Sequence, residues 1–114
     1  MTSSSAAAAA TGFVHAVYFY LRDENNGDDA ARLAGGCHQH LAKIPGVLRM
    51  HVGIPAGTPR DVVDNSYGVA LVIEFADQAA HDAYQDHPDH HRFVEACSPL
   101  WSRVQVYDSR TVGP

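Results

Sequence analysis

The groups best able to do chemistry are concentrated in one stretch, Tyr84-Gln85-Asp86-His87-Pro88-Asp89-His90-His91-Arg92-Phe93. Its ten residues hold three imidazoles, two carboxylates and a phenol. Histidine is the side chain whose ordinary pKa lies near neutrality, so it takes up and returns protons under physiological conditions. An imidazole beside a phenol in an apolar cleft has the parts for removing a proton next to a carbonyl. His90 would be the base, and the Tyr84 hydroxyl would donate to the enolate that forms. Burial keeps such a histidine neutral, which is the proton-accepting form. The competing reading is architectural: His90 pins a bend through a backbone carbonyl and Tyr84 is core.

Other chemistries fit less well. His87, Asp89, His90 and His91 crowd one turn, but a zinc site needs three or four donors converging on a point. His87 and His90 straddle a proline and His91 faces away from His90, so no metal and no other cofactor is expected. His15, alone on an apolar strand face, is most simply a hydrogen-bonded core residue. Cys37 and Cys97 have no basic neighbour at helical spacing and no CxxC arrangement, so both read as small buried apolar residues. Arg60, Asp61 and Asp64 read as loop ion pairs. No strand is followed by a glycine-rich phosphate loop.

Composition narrows the partners. A chain of 114 residues with 46% apolar and 18% charged residues is one globular domain with a modest core. The formal charge of −5 leaves no basic footprint, so neither nucleic acid nor an anionic membrane surface is an expected partner. Residues 1–12 form a Ser/Ala-rich segment without a basic start or a long apolar run, expected to be a disordered tail rather than a cleaved signal. Two unpaired thiols suit a reducing compartment, and a cytoplasmic location is expected.

Several elements must position the cluster. Residues 13–21 alternate as a strand with both faces apolar: Phe13, His15, Val17, Phe19 and Leu21 on one, Val14, Ala16, Tyr18 and Tyr20 on the other. Asp28 or Asp29 can cap a helix over residues 28–43 with Leu33, Cys37 and Leu41 inward, interrupted by Gly35-Gly36. Residues 47–53 read as a second strand, 54–66 as a long loop, and 67–75 as a third strand carrying Leu71. Asp77 caps a helix whose inner side is Ala80, Ala83 and Tyr84. Pro88, which lacks an N–H and drives His87 out of the helical region, ends that helix. Asp89 can cap a short helix over residues 89–97, and residues 101–108 make the last strand. The order β-α-β-β-α-α-β predicts an α+β, ferredoxin-like fold: an antiparallel four-stranded sheet with helices on one face. The other face is too apolar for water, which predicts a homodimer through the sheet.

The segments His15-Ala-Val-Tyr-Phe, Ile44-Pro-Gly-Val, Phe75-Ala-Asp, Tyr84-Gln-Asp-His-Pro-Asp-His and Trp101 before the last strand together resemble the stress-responsive dimeric α/β-barrel (Dabb) domain. The likeness spans residues 13–109, leaving 110–114 as a tail. It implies a homodimer in which two sheets face each other as a barrel. The Tyr-x-x-His-Pro-x-His motif is similar to that of olivetolic acid cyclase-like members, which condense a polyketide without a cofactor, and it implies catalytic roles for His90 and Tyr84. Val69 and Cys37 depart from the cyclase pattern, where a pocket histidine and an aromatic residue stand. By this resemblance the chain is a homodimer binding a small apolar molecule between sheet and helices, against His15, Val17, Phe19, Leu33, Cys37, Leu71 and Trp101. The alternative it carries is a cofactor-independent cyclase, isomerase or monooxygenase that turns such a molecule over.

Overall fold

The structure, a computed structural model, describes residues 9–114. Most of the segment expected to be a tail lies outside the described residues. Strand β1, Phe13–Leu21, shows a strict alternation of burial: Phe13, His15, Val17, Phe19 and Leu21 are at most 5% exposed, and the residues between them are half-buried. It pairs antiparallel with β3 (Val69–Phe75) on one side and β4 (Trp101–Arg110) on the other, and β2 (Arg49–Gly53) joins the outer side of β3. The sheet order is therefore β2-β3-β1-β4, the ferredoxin-like arrangement expected.

Three helices, α1 (Gly27–Leu41), α2 (Gln78–Asp86) and α3 (Pro88–Cys97), cover the β1 face that carries Phe13, Val17 and Phe19. Strand ends differ by a few residues from expectation. β2 starts at Arg49, because Val47 closes the preceding turn by donating to the Ile44 carbonyl. β4 runs on to Arg110, and Thr111 donates to the Gly12 carbonyl at 2.9 Å, so Gly12 and Thr111 prolong the ladder. Gly46, at φ 96°, occupies the left-handed region that only glycine enters freely, and it turns the chain from α1 toward β2.

The helix caps correct two assignments. Asn26, not Asp28 or Asp29, caps α1: its Oδ1 accepts from both of their backbone N–H groups, and the two carboxylates then sit in the positive first turn. His87, not Asp89, caps α3 by accepting the Asp89 N–H at Nδ1, which lets Pro88 take the first helical position, where a missing N–H costs nothing. Asp77 caps α2 as expected, accepting from Ala80 at 2.9 Å. The inner side of α2 is Ala80, as expected, with His81 and Tyr84; Ala83 is exposed.

Gly35 and Gly36 have opposite roles in α1. Gly35 is exposed with open space around it, whereas a Cβ on Gly36 would lie 2.4 Å from the Sγ of Cys97 on α3. The close approach of these two helices therefore depends on Gly36 alone. Urea unfolding of two single variants should separate the positions. Gly35→Ala should gain up to about 1 kcal/mol from helix propensity, while Gly36→Ala should lose roughly 1–3 kcal/mol from overpacking.

Candidate functional site

The site is built by the corner between α2 and α3. His87 leaves the helix at φ −67°, ψ 140°, the extended conformation that a following proline enforces. Tyr84 sits in the last turn of α2 and His90 in the first turn of α3, and the corner brings their rings to 5.0 Å between centroids at 74°. Beside them, between the helices and the β1–β4 half of the sheet, lies a cleft of about 180 Å³. Its lining includes His15, Val17, Phe19, Leu71, Tyr84 and His90, all expected from the sequence, together with Gln85, Phe93, Val94, Val104 and Val106, which were not. Leu33 and Cys37 do not reach it; both are fully buried in the core. Trp101 packs on Phe19 and Phe93 at 4.8 and 5.8 Å and is likewise not part of the lining.

Burial sets the protonation states. Loss of water, reinforced by the like charges of His15, His91 and His81, depresses the His90 pKa to about 4, so the ring is neutral at pH 7. Tyr84, 1% exposed, has its hydroxyl pushed up chiefly by burial, so it stays a phenol and can act only as a neutral hydrogen-bond group. Burial also lowers the pKa of His15, and the bond to Asp108 only partly offsets this. The Cys37 thiol is pushed up to about 12 by burial and the neighbouring Cys97, which removes it as a nucleophile.

A second cluster, invisible as such in the sequence, adjoins the cleft. His15 Nδ1 lies 2.6 Å from the Asp108 carboxylate, and His81 Nδ1 lies 3.0 Å from that of Asp82. The amide nitrogen of Gln85 is 3.5 Å from His15 Nε2 and 3.2 Å from His81 Nε2. An amide N–H2 only donates, so both Nε2 atoms accept and both Nδ1 atoms carry the proton given to a carboxylate. Donor atoms of His15, His81 and Asp108 lie within 4.8 Å of one another. The cluster read for metal in the sequence is dispersed by comparison: His87 Nδ1 is engaged in capping, and exposed His91 stands at 88° to His90 with ring centroids 6.3 Å apart. One signal for the true neighbours was available, since His81, Tyr84 and Gln85 share one helical face by spacing. The pairing of Asp108 with His15 needed the strand register.

Fold and cleft together define an α+β protein of the ferredoxin-like class. The sequence profile of the Stress responsive A/B Barrel Domain matches residues 13–111, and the chain belongs to that family. A Dabb family protein with a ferredoxin-like fold from Mesorhizobium loti is 28% identical over 91% of this chain and 100% of its own, with a TM-score of 0.73. A dimeric ferredoxin-like protein of unknown function from Thermobifida fusca is 22% identical over 90% of this chain and 92% of its own, also at a TM-score of 0.73. A hydroxynitrile lyase from Passiflora edulis shares the fold at 15% identity, covering 92% of this chain and 98% of its own, with a TM-score of 0.69. No functionally curated protein matches the sequence. Among the described residues no helix is long and apolar enough to cross a membrane.

The depressed His90 pKa carries a sign for stability. The unfolded chain binds a proton at a pKa of about 6.5 and the folded chain only near 4, so protons favour unfolding between these values. The His90 contribution is complete above pH 6.5 and is lost as pH falls toward 4. Thermal melts from pH 7.5 to 4 should show a falling Tm with a shallower slope in His90→Gln. Equal slopes would show that His90 titrates normally.

Proposed function

We propose that this chain forms a homodimer through its open sheet face and that each protomer binds a small, largely apolar carbonyl compound in the cleft beside His90. The observation that carries the reading is a cleft with mostly apolar walls into which His90 and Tyr84 face, with His15 and Gln85 as the other polar residues of its lining. At about 180 Å³ it is smaller than the roughly 300–1,000 Å³ of pockets that hold drug-sized molecules, which favours a ligand of few heavy atoms. Val69 and Cys37, both fully buried where cyclase-like relatives carry pocket groups, argue in the same direction, against a long polyketide.

The dimer part rests on the second sheet face. Val14, Ala16, Tyr18 and Tyr20 of β1 and Val72 of β3 are half-buried on the side without helices, and Tyr107 of β4 is 63% exposed there. This apolar centre, rimmed on the same face by Glu74, His51, Gln105 and Ser109, is stable in water when a second copy covers it. The T. fusca neighbour, a dimeric ferredoxin-like protein, supports dimerisation as such. A stress-associated setting is carried over from the family description, and the cytoplasmic location rests on the two free thiols.

Proton-transfer catalysis without a cofactor is the second reading, favoured by the neutral state of His90 next to a phenol. His90 would take the proton alpha to the carbonyl, and the Tyr84 O–H would donate to the enolate oxygen. A base with a resting pKa of about 4 is weak, so the negative charge developing on the ligand must raise it during the transfer. A hydroxynitrile lyase on the same fold supports the capacity of this scaffold for lyase chemistry.

Two experiments test these statements. In a thermal-shift screen of small apolar aldehydes, ketones and β-keto acids run in chelator, hits should raise Tm in the wild type and not in His90→Ala, with the unliganded melting of the variant unchanged. Hits that persist in the variant would place the ligand elsewhere. Light scattering after gel filtration should report a dimer for the wild type and a monomer for Ala16→Asp, whose carboxylate would lie between Val72 and Tyr107. A monomeric wild type would remove the dimer.

A further inference from the structure

The His15–His81 cluster is the part of the molecule that the cleft chemistry does not use. Its two imidazoles come from different elements, β1 and α2, and both are buried, at 5% and 8% exposure. Their ring centroids are 4.7 Å apart, and Phe13 and Phe75 pack on His81 at 4.6 and 5.6 Å. Three features of the arrangement are those of a metal site. Both Nε2 lone pairs point at one position, now held by the Gln85 amide nitrogen. Both opposite nitrogens are fixed by carboxylates, Asp108 behind His15 and Asp82 behind His81, the pattern that orients metal-binding imidazoles and raises their basicity. An apolar wall excludes water from one side.

We propose that His15 and His81 bind one divalent transition-metal ion, of the zinc type, through their Nε2 atoms, at the position the Gln85 amide now occupies. Zinc–nitrogen bonds are about 2.0–2.1 Å, so the rings close in by roughly an ångström and the Gln85 side chain moves or turns its oxygen toward the ion. Asp108, bonded to Nδ1 on the far side of the His15 ring, acts on the ion through that imidazole. Borderline imidazole donors suit zinc, cobalt or nickel rather than magnesium or calcium. Because His15 also lines the cleft, the ion would stand at the cleft wall with room for water or a ligand oxygen as a further donor.

The competing explanation is that the five side chains form a closed hydrogen-bonded network with no ion. Calorimetric titration of the chelator-stripped full chain with zinc separates the two, with cobalt(II) as a second probe whose visible absorption reports coordination. One ion per chain should bind, with a four-coordinate cobalt spectrum. Binding should be lost in His15→Gln and in His81→Gln, and weakened roughly tenfold or more in Asp108→Asn. It should persist in the His38→Gln/His91→Gln double variant, which removes exposed imidazoles. Absence of saturable binding by the wild type, its persistence in His81→Gln, or its loss in the double variant would overturn the site. If the buried histidine variants do not fold, nitrogen NMR of the wild type decides: zinc must shift Nε2 of His15 and His81, and shifts confined to other histidines refute the assignment. None of these readouts depends on a cleft ligand.

Discussion

A peptide N–H that does not exist governs the working half of this molecule. Pro88 cannot donate into α2 and forbids His87 the helical conformation, so α2 must stop and the chain must restart at an angle. Without that break, Tyr84 and His90 would lie six residues apart on one continuous helix, more than a turn and a half along its axis. With it, they face each other ring to edge. The restart also carries α3 back over the sheet, where Phe93 meets Phe19 and Cys97 meets α1 at Gly36. The nitrogen that Pro88 leaves without a proton costs little, because the first turn of a helix has no internal partner for its N–H groups.

The second constraint is the cost of charge in a dry place. Three imidazoles, of His15, His81 and His90, stand close together, and burial lowers the pKa of His15 and of His90. The structure handles them differently. His15 and His81 are oriented by carboxylates at one nitrogen and a shared amide at the other. His90 receives no such carboxylate, and burial depresses its pKa to about 4. The polar groups of this region are thus satisfied locally, and among the described residues no buried side-chain nitrogen or oxygen is left without a partner.

Much of this was legible in the chain, for identifiable reasons. The strict alternation over Phe13–Leu21 specified a strand with two apolar faces, and both faces are as read. Pro88 announced the corner because its effect is covalent and needs no tertiary context. The caps were read two or three residues late, since Asn26 and His87 compete with nearby aspartates as caps and only backbone geometry decides between them. The lining of the cleft was half legible. Leu33 and Cys37 have the right hydropathy but the wrong depth, a distinction set by how closely α1 approaches α3. Asp108 could not be matched to His15, because residues ninety-three apart meet only through strand register.

The packing of α1 on α3 has one more consequence. Cys37 is fully buried and Cys97 nearly so, and burial holds both thiols protonated, above their usual pKa. Neither can react with an alkylating or oxidising reagent while the helices remain together. The chain therefore carries an internal stopwatch: the rate at which its sulfurs become labelled measures how often the α1–α3 pair comes apart, independent of any spectroscopic signal.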